Sequence, residues 1–147
     1  MSENQPGTIF LHANWLYYEN RLSSLTDTIK ALKSGTPGSD IVIVGGVPQW
    51  KPSLPIYFVE RGLKLKHSPQ SLDLDKFDEI HRVNSTLREI AGEMNVKFKD
   101  PLQYLCSKSQ RCLVSVIFGG KPALTAWDYG HLTKAGSAFL ATRLLAD

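Results

Sequence analysis

The residues of this chain best suited to chemistry stand near its end, in Trp127-Asp128-Tyr129-Gly130-His131-Leu132-Thr133. Asp128 precedes His131 by three positions, and Thr133 opens an apolar helix. A carboxylate that accepts from one imidazole nitrogen selects the tautomer whose other nitrogen can take a proton from a hydroxyl. The pattern is that of a serine hydrolase, with His131 as general base and Asp128 orienting it. A base of this kind needs a nucleophile, and no upstream serine falls in a strand-to-helix turn suited to that role. Ser39-Asp40 precedes its strand, which puts it at the end of the sheet away from the other candidates. The competing reading makes Asp128 and His131 surface residues ahead of a helix capped by Thr133.

The elements that would carry this pair alternate. Thr8-Ile9-Phe10-Leu11-His12-Ala13 and Ile41-Val42-Ile43-Val44-Gly45-Gly46 read as parallel strands buried on both faces. Between them Leu22, Leu25, Ile29 and Leu32 recur at helical spacing, and Gly35 with Pro37 ends that segment. Phe77, Ile80, Val83, Leu87, Ile90 and Met94 mark a long amphipathic helix, and Val96-Lys97-Phe98-Lys99 a further short strand. A last helix from near Thr133 carries Ala135, Phe139, Leu140 and Leu144, while the proline-rich stretch from Val47 to Leu74 is expected to be irregular. This order predicts an open α/β sheet whose informative loops follow the strands.

Those loops hold the remaining candidates. Asn14 follows the first strand, either as an amide donor to an oxyanion or as a turn residue. Trp15, Trp50 and Trp127 fall in the same class of loop, near Tyr17, Tyr18 and Tyr129. Aromatic faces suit the apolar faces of sugar rings, so Trp50, Trp127 and Tyr129 are expected at a substrate and Trp15 in packing. His12 is expected in the core and His81 in solvent.

Composition narrows the class. The 147 residues, 42% hydrophobic and 21% charged, suffice for one domain with a real core. The net charge of +3 comes from scattered cations, with Lys64, Lys66 and His67 the compact group, a pattern that argues against a nucleic-acid partner. The polar start at Met1 to Gly7 reads as no secretory signal, and no stretch reaches membrane-spanning length. Cys106 and Cys112, in an expected polar loop, are compatible with a disulfide or with two reduced thiols. Two sulfurs without a histidine at ligand spacing argue against a metal, and no motif calls for a cofactor.

Asp128, His131, Leu132, Thr133 and Gly136 together resemble the last sequence block of SGNH hydrolases. The chain is similar in particular to the SGNH domain fused behind the membrane part of acyltransferase-3 type O-acyltransferases, which decorate bacterial surface polysaccharides. Ile9 to Trp15 resembles that domain's strand running into a small residue, a polar residue and Trp. Val42 to Trp50 resembles its next strand and Val-Pro-x-Trp loop, and Cys106 with Cys112 falls where such domains carry a cysteine pair. The match runs from about Thr8 to the C-terminus as a single domain over 1–147.

The resemblance implies a three-layer flavodoxin-like parallel sheet that lacks its first strands, and an esterase or O-acyltransferase working on acyl, in particular acetyl, esters of a surface polysaccharide. It implies an Asn contribution to the oxyanion hole near Asn14, although the membrane-fused members often carry Arg before that Trp. It also implies a periplasmic or membrane-associated location. Family members begin with a Gly-Asp-Ser strand that supplies the nucleophile, and that block would lie before residue 1. The expected partners are therefore a carbohydrate or acyl-ester substrate, the missing N-terminal or membrane acyltransferase segment, and a second copy pairing through an open sheet edge. The alternative is a non-catalytic remnant that binds glycan or docks a partner.

Overall fold

The computed structural model describes residues 5–146. In chain order the elements are β1 (Thr8–Leu11), a 3-10 helix (Glu19–Ser24), α1 (Leu25–Gly35), β2 (Asp40–Val44), α2 (Leu54–Glu60), β3 (Gln70–Asp73) and α3 (Phe77–Glu93). They continue with β4 (Lys97–Lys99), α4 (Leu102–Leu105), β5 (Arg111–Phe118), β6 (Lys121–Leu124) and α5 (Lys134–Leu144). They gather into two compact units, one of Met1–Gly46 with Glu79–Asp100 and one of Val47–Asp78 with Pro101–Asp147.

The first unit holds a parallel sheet in the order β1-β2-β4. Its middle strand, Asp40-Ile41-Val42-Ile43-Val44, is buried from Ile41 onward on both faces, as a central parallel strand must be. Ile41 and Ile43 share one apolar cluster with Ile29 of α1 and Val83 and Leu87 of α3. Burying a side chain of this size fully contributes about 1.5–3 kcal/mol. At the end of α3 Asn95 takes a positive φ of 51°, and the N–H groups of Asn95 and Val96 bond back to Gly92 and Ala91. This left-handed cap stops the helix and turns the chain into β4. The parallel sheet with its helices is the flavodoxin-like α/β arrangement expected.

Two local expectations need correction here. β1 is not buried on both faces: it pairs with β2 alone among the described strands, and its alternating pattern leaves Phe10 46% exposed. His12 is exposed and outside the core, its Nδ1 lying 3.2 Å from the Val44 carbonyl.

The second unit is a different architecture, absent from the expected purely parallel plan. Its sheet is antiparallel in the order β3-β5-β6, with a register shift between Gln70 and Ser71. β5 and β6 form a hairpin around Gly119 and Gly120, both at positive φ, the conformation that a two-residue turn between right-twisted strands requires. The stretch from Val47 to Leu74 is correspondingly not irregular throughout, since it forms α2 and β3. Cys112 lies on β5 rather than in a loop, fully buried, and is disulfide-bonded to Cys106.

Candidate active site

The Asp128–His131 turn grows directly out of the antiparallel sheet. Thr125 follows β6 and continues its pairing with β5, its N–H donating to the Val114 carbonyl at 2.9 Å and its Oγ1 to that of Leu113 at 2.9 Å. The returning chain pairs with this extension: Trp127 N–H donates to His131 O at 3.1 Å, and Thr133 N–H to Thr125 O at 2.9 Å. Between these rungs residues 128–130 make the tip. Thr133 then ends the loop twice over, donating its Oγ1 to Leu124 O at 2.6 Å and accepting from Gly136 N at 3.0 Å as the N-cap of α5. Gly136 is required by proximity, because a Cβ there would stand 2.1 Å from Thr125 O.

Within the tip, Asp128 divides its oxygens. Oδ1 accepts from the backbone N–H groups of Gly130 at 2.9 Å and His131 at 2.7 Å, an Asx-type turn that orients the carboxylate. Oδ2 is left to face the Nδ1 of His131 at 2.6 Å, a charge-assisted distance. Burial pushes the Asp128 carboxyl up, but the two backbone donors and the imidazole outweigh it and hold the group below the ordinary aspartate value. At neutral pH Asp128 is thus an ionised acceptor, which in a neutral imidazole selects the Nδ1–H tautomer and leaves the lone pair on Nε2. The His131 side chain is 64% exposed, and among the described residues no serine of its own unit reaches its ring.

Two exposed aromatic rings flank the imidazole. Trp127, 62% exposed, stacks on it with centroids 5.7 Å apart and an interplanar angle of 27°. Tyr129, 43% exposed, meets it edge-on at 5.6 Å. Of the residues singled out in the sequence, Asp128, His131, Trp127 and Tyr129 are therefore brought together. Trp50 joins them through its backbone: its N–H donates to Tyr129 O at 2.6 Å while its indole is 4% exposed and packs against Tyr57. Asn14 belongs to the first unit, where its carbonyl accepts from Tyr17 N at 3.0 Å in a turn. Trp15 is a packing residue whose indole N–H donates to Val44 O at 2.8 Å.

A second polar construction lies in the first unit. Asn84 of α3 is fully buried: its Oδ1 accepts from Gly46 N at 2.7 Å, and its Nδ2 donates to Asp100 Oδ1 at 2.8 Å. Arg88 donates to the other Asp100 oxygen at 2.9 Å. A Cβ on Gly45 would meet the Asn84 amide at 2.8 Å, so this approach requires glycine. The signal was an amide on the apolar stripe formed by Ile80, Val83 and Leu87, where a lone polar group must find buried partners.

Residues 1–146 match the family model of the SGNH domain fused to AT3 domains. The chain belongs to this SGNH family. Among solved structures, this SGNH domain is similar to the periplasmic domain of the lipopolysaccharide acetyltransferase of Salmonella ser. Paratyphi A, with 28% identity and a TM-score of 0.73. The likeness covers 97% of this chain and 56% of that one, so this SGNH domain spans little more than half the length of that neighbour. A search of the curated proteins found no match. Among the described residues no helix is long and apolar enough to cross a membrane.

Proposed function

We propose that this SGNH domain takes part in acyl transfer between an ester and a carbohydrate hydroxyl of a bacterial surface polysaccharide, on the periplasmic side of the membrane. The observation that carries the reading is the 2.6 Å contact of Asp128 Oδ2 with His131 Nδ1, with Oδ1 already committed to two backbone donors. His131 Nε2 takes the proton of a serine hydroxyl as that oxygen attacks the acyl carbonyl. The same proton then passes to the departing oxygen, and Asp128 stabilises the imidazolium in between. The attacking serine is expected from a Gly-Asp-Ser segment, the block in which SGNH domains carry their nucleophile. Trp127 and Tyr129 offer the sugar ring a surface beside the base. The acyl group is acetyl, a reading supported by the acetyltransferase neighbour.

β1 pairs with β2 alone among the described strands, so its other edge is where a further strand, or a second copy, would add. A second reading, glycan binding without chemistry, draws on the exposed pair Trp127 and Tyr129. An aryl acetate assay separates the two. When the chain is joined to a Gly-Asp-Ser segment of an SGNH relative, we expect turnover that falls by about a thousandfold or more in His131→Ala. Equal rates in the two proteins would reject the base assignment and leave the binding reading.

A further inference from the structure

We propose that Trp50 is a positioning residue for the acid–base pair: with its neighbours Gln49 and Leu54 it forms a cradle that holds the Asp128–Gly130 tip in the conformation that orients His131. The inference rests on the reading of His131 as a base, but its test does not need turnover.

The tip is secured on one side by the Thr125–Thr133 rungs described above. Its other side would be open without the loop that follows Val47. Trp50 N–H reaches Tyr129 O at 2.6 Å and Leu54 N–H reaches Asp128 O at 3.2 Å, so two consecutive carbonyls of the tip are held by donors more than seventy positions away. Gln49 closes the space over the third residue: a Cβ on Gly130 would lie 3.3 Å from Gln49 Cγ. The donors are themselves fixed by burial. The Trp50 indole packs against Tyr57 of α2, and Leu54 and Phe58 of the same helix are buried. A buried indole fixes the backbone of its own residue, and that backbone carries the shortest of the cradle's hydrogen bonds.

The consequence reaches the imidazole through Asp128. Trp127 and Tyr129 flank the His131 ring, but its one directional bond is to the carboxylate, so its orientation follows from Asp128, and that of Asp128 from the tip. Loosening the cradle should let the tip relax and Oδ2 leave Nδ1. A neutral imidazole released from that acceptor reverts toward the Nε2–H tautomer, whose outward nitrogen cannot accept a proton.

The test is 15N NMR of the His131 ring in the intact chain at about pH 9, where a histidine is neutral. The wild type should be held as the Nδ1–H tautomer. Trp50→Ala should lower the ratio of Nδ1–H to Nε2–H by about tenfold, the scale of one lost hydrogen bond. Trp50→Phe, which keeps a buried ring, should restore most of that ratio. A folded Trp50→Ala protein with an unchanged ratio would overturn the proposal. Should Trp50→Ala fail to fold, Gly130→Ala asks the same question from the other side by pressing a methyl group against Gln49. An unshifted ratio there, in a folded protein, overturns it equally. The failure of the catalytic reading would look different: a normal tautomer response with no hydrolysis by the reconstituted domain.

Discussion

The two units of this SGNH domain are built for different tasks. The first has seven Lys and Arg against eight Asp and Glu, the second ten against six, so the positive charge of the chain resides wholly in the second. Cations find carboxylates in both, Arg82 with Glu19, Arg88 with Asp100 and Lys97 with Asp40 in the first and Arg111 with Asp73 in the second. The first unit's buried pair, Asn84 with Asp100, ties a helix to a strand end. In the second, the corresponding polar system is turned outward, with the carboxylate half-buried and the imidazole exposed between two aromatic rings. Polar groups whose bonds are all satisfied internally rigidify a fold. A pair with one nitrogen left facing solvent is available for proton transfer.

This contrast can be tested by substitution, beginning with its strongest consequence. Leu87→Ala, in the apolar cluster of the first unit, is expected to destabilise by about 2–5 kcal/mol, read as the shift in the urea midpoint. His131→Ala, on an exposed site of the second unit, should move the same midpoint by no more than about 0.5 kcal/mol. If the two substitutions cost alike, the division between a scaffold unit and a reactive unit is wrong.

Gly136→Ala comes next. Its methyl group has to displace the Thr125 carbonyl, which overpacking places at about 1–3 kcal/mol. Thermal unfolding gives that number. Because Thr125 also anchors the return strand of the site, the substitution should broaden or shift the His131 ring resonances as well, and a destabilised protein with unaltered His131 signals would separate helix packing from the site.

The smallest effect concerns pH. The Asp128 carboxyl is held below its ordinary value of 3.8 in the folded protein. Its contribution is therefore fully present above that value, where the unfolded chain is also ionised, and is lost as pH falls through the lower folded value. Wild type should lose more stability between about pH 5 and pH 2 than Asp128→Asn does, as read from paired urea titrations. Parallel curves for the two proteins would mean that the carboxylate gains nothing from its donors.

The first unit was largely readable in advance. Ile41 to Val44, the stripe of Leu25, Ile29 and Leu32, and the stripe of Ile80 to Ile90 fall where periodicity puts them, because each element buries one continuous face. The second unit was poorly readable. β3 spans only Gln70 to Asp73, α4 only Leu102 to Leu105, and neither is long enough to display a period. β5 with its Gly119-Gly120 turn carries a hairpin signature, in Val114, Val116 and Ile117 before two glycines, but the polar residues from Ser107 to Arg111 hide where the strand begins.

Sequence alone picked out the contact between Asp128 and His131 and the helix start behind it, because an Asp, a His three positions on and a capping Thr interact within one local turn. It also determined the parallel core, whose signal is repeated apolar spacing. What waited for the tertiary structure was the use of each aromatic residue. Trp50 and Trp127 are the same residue type in similar loops, yet one is buried at 4% exposure and the other open at 62%. Burial depends on which distant segments arrive at a position, and no local pattern around an indole encodes that.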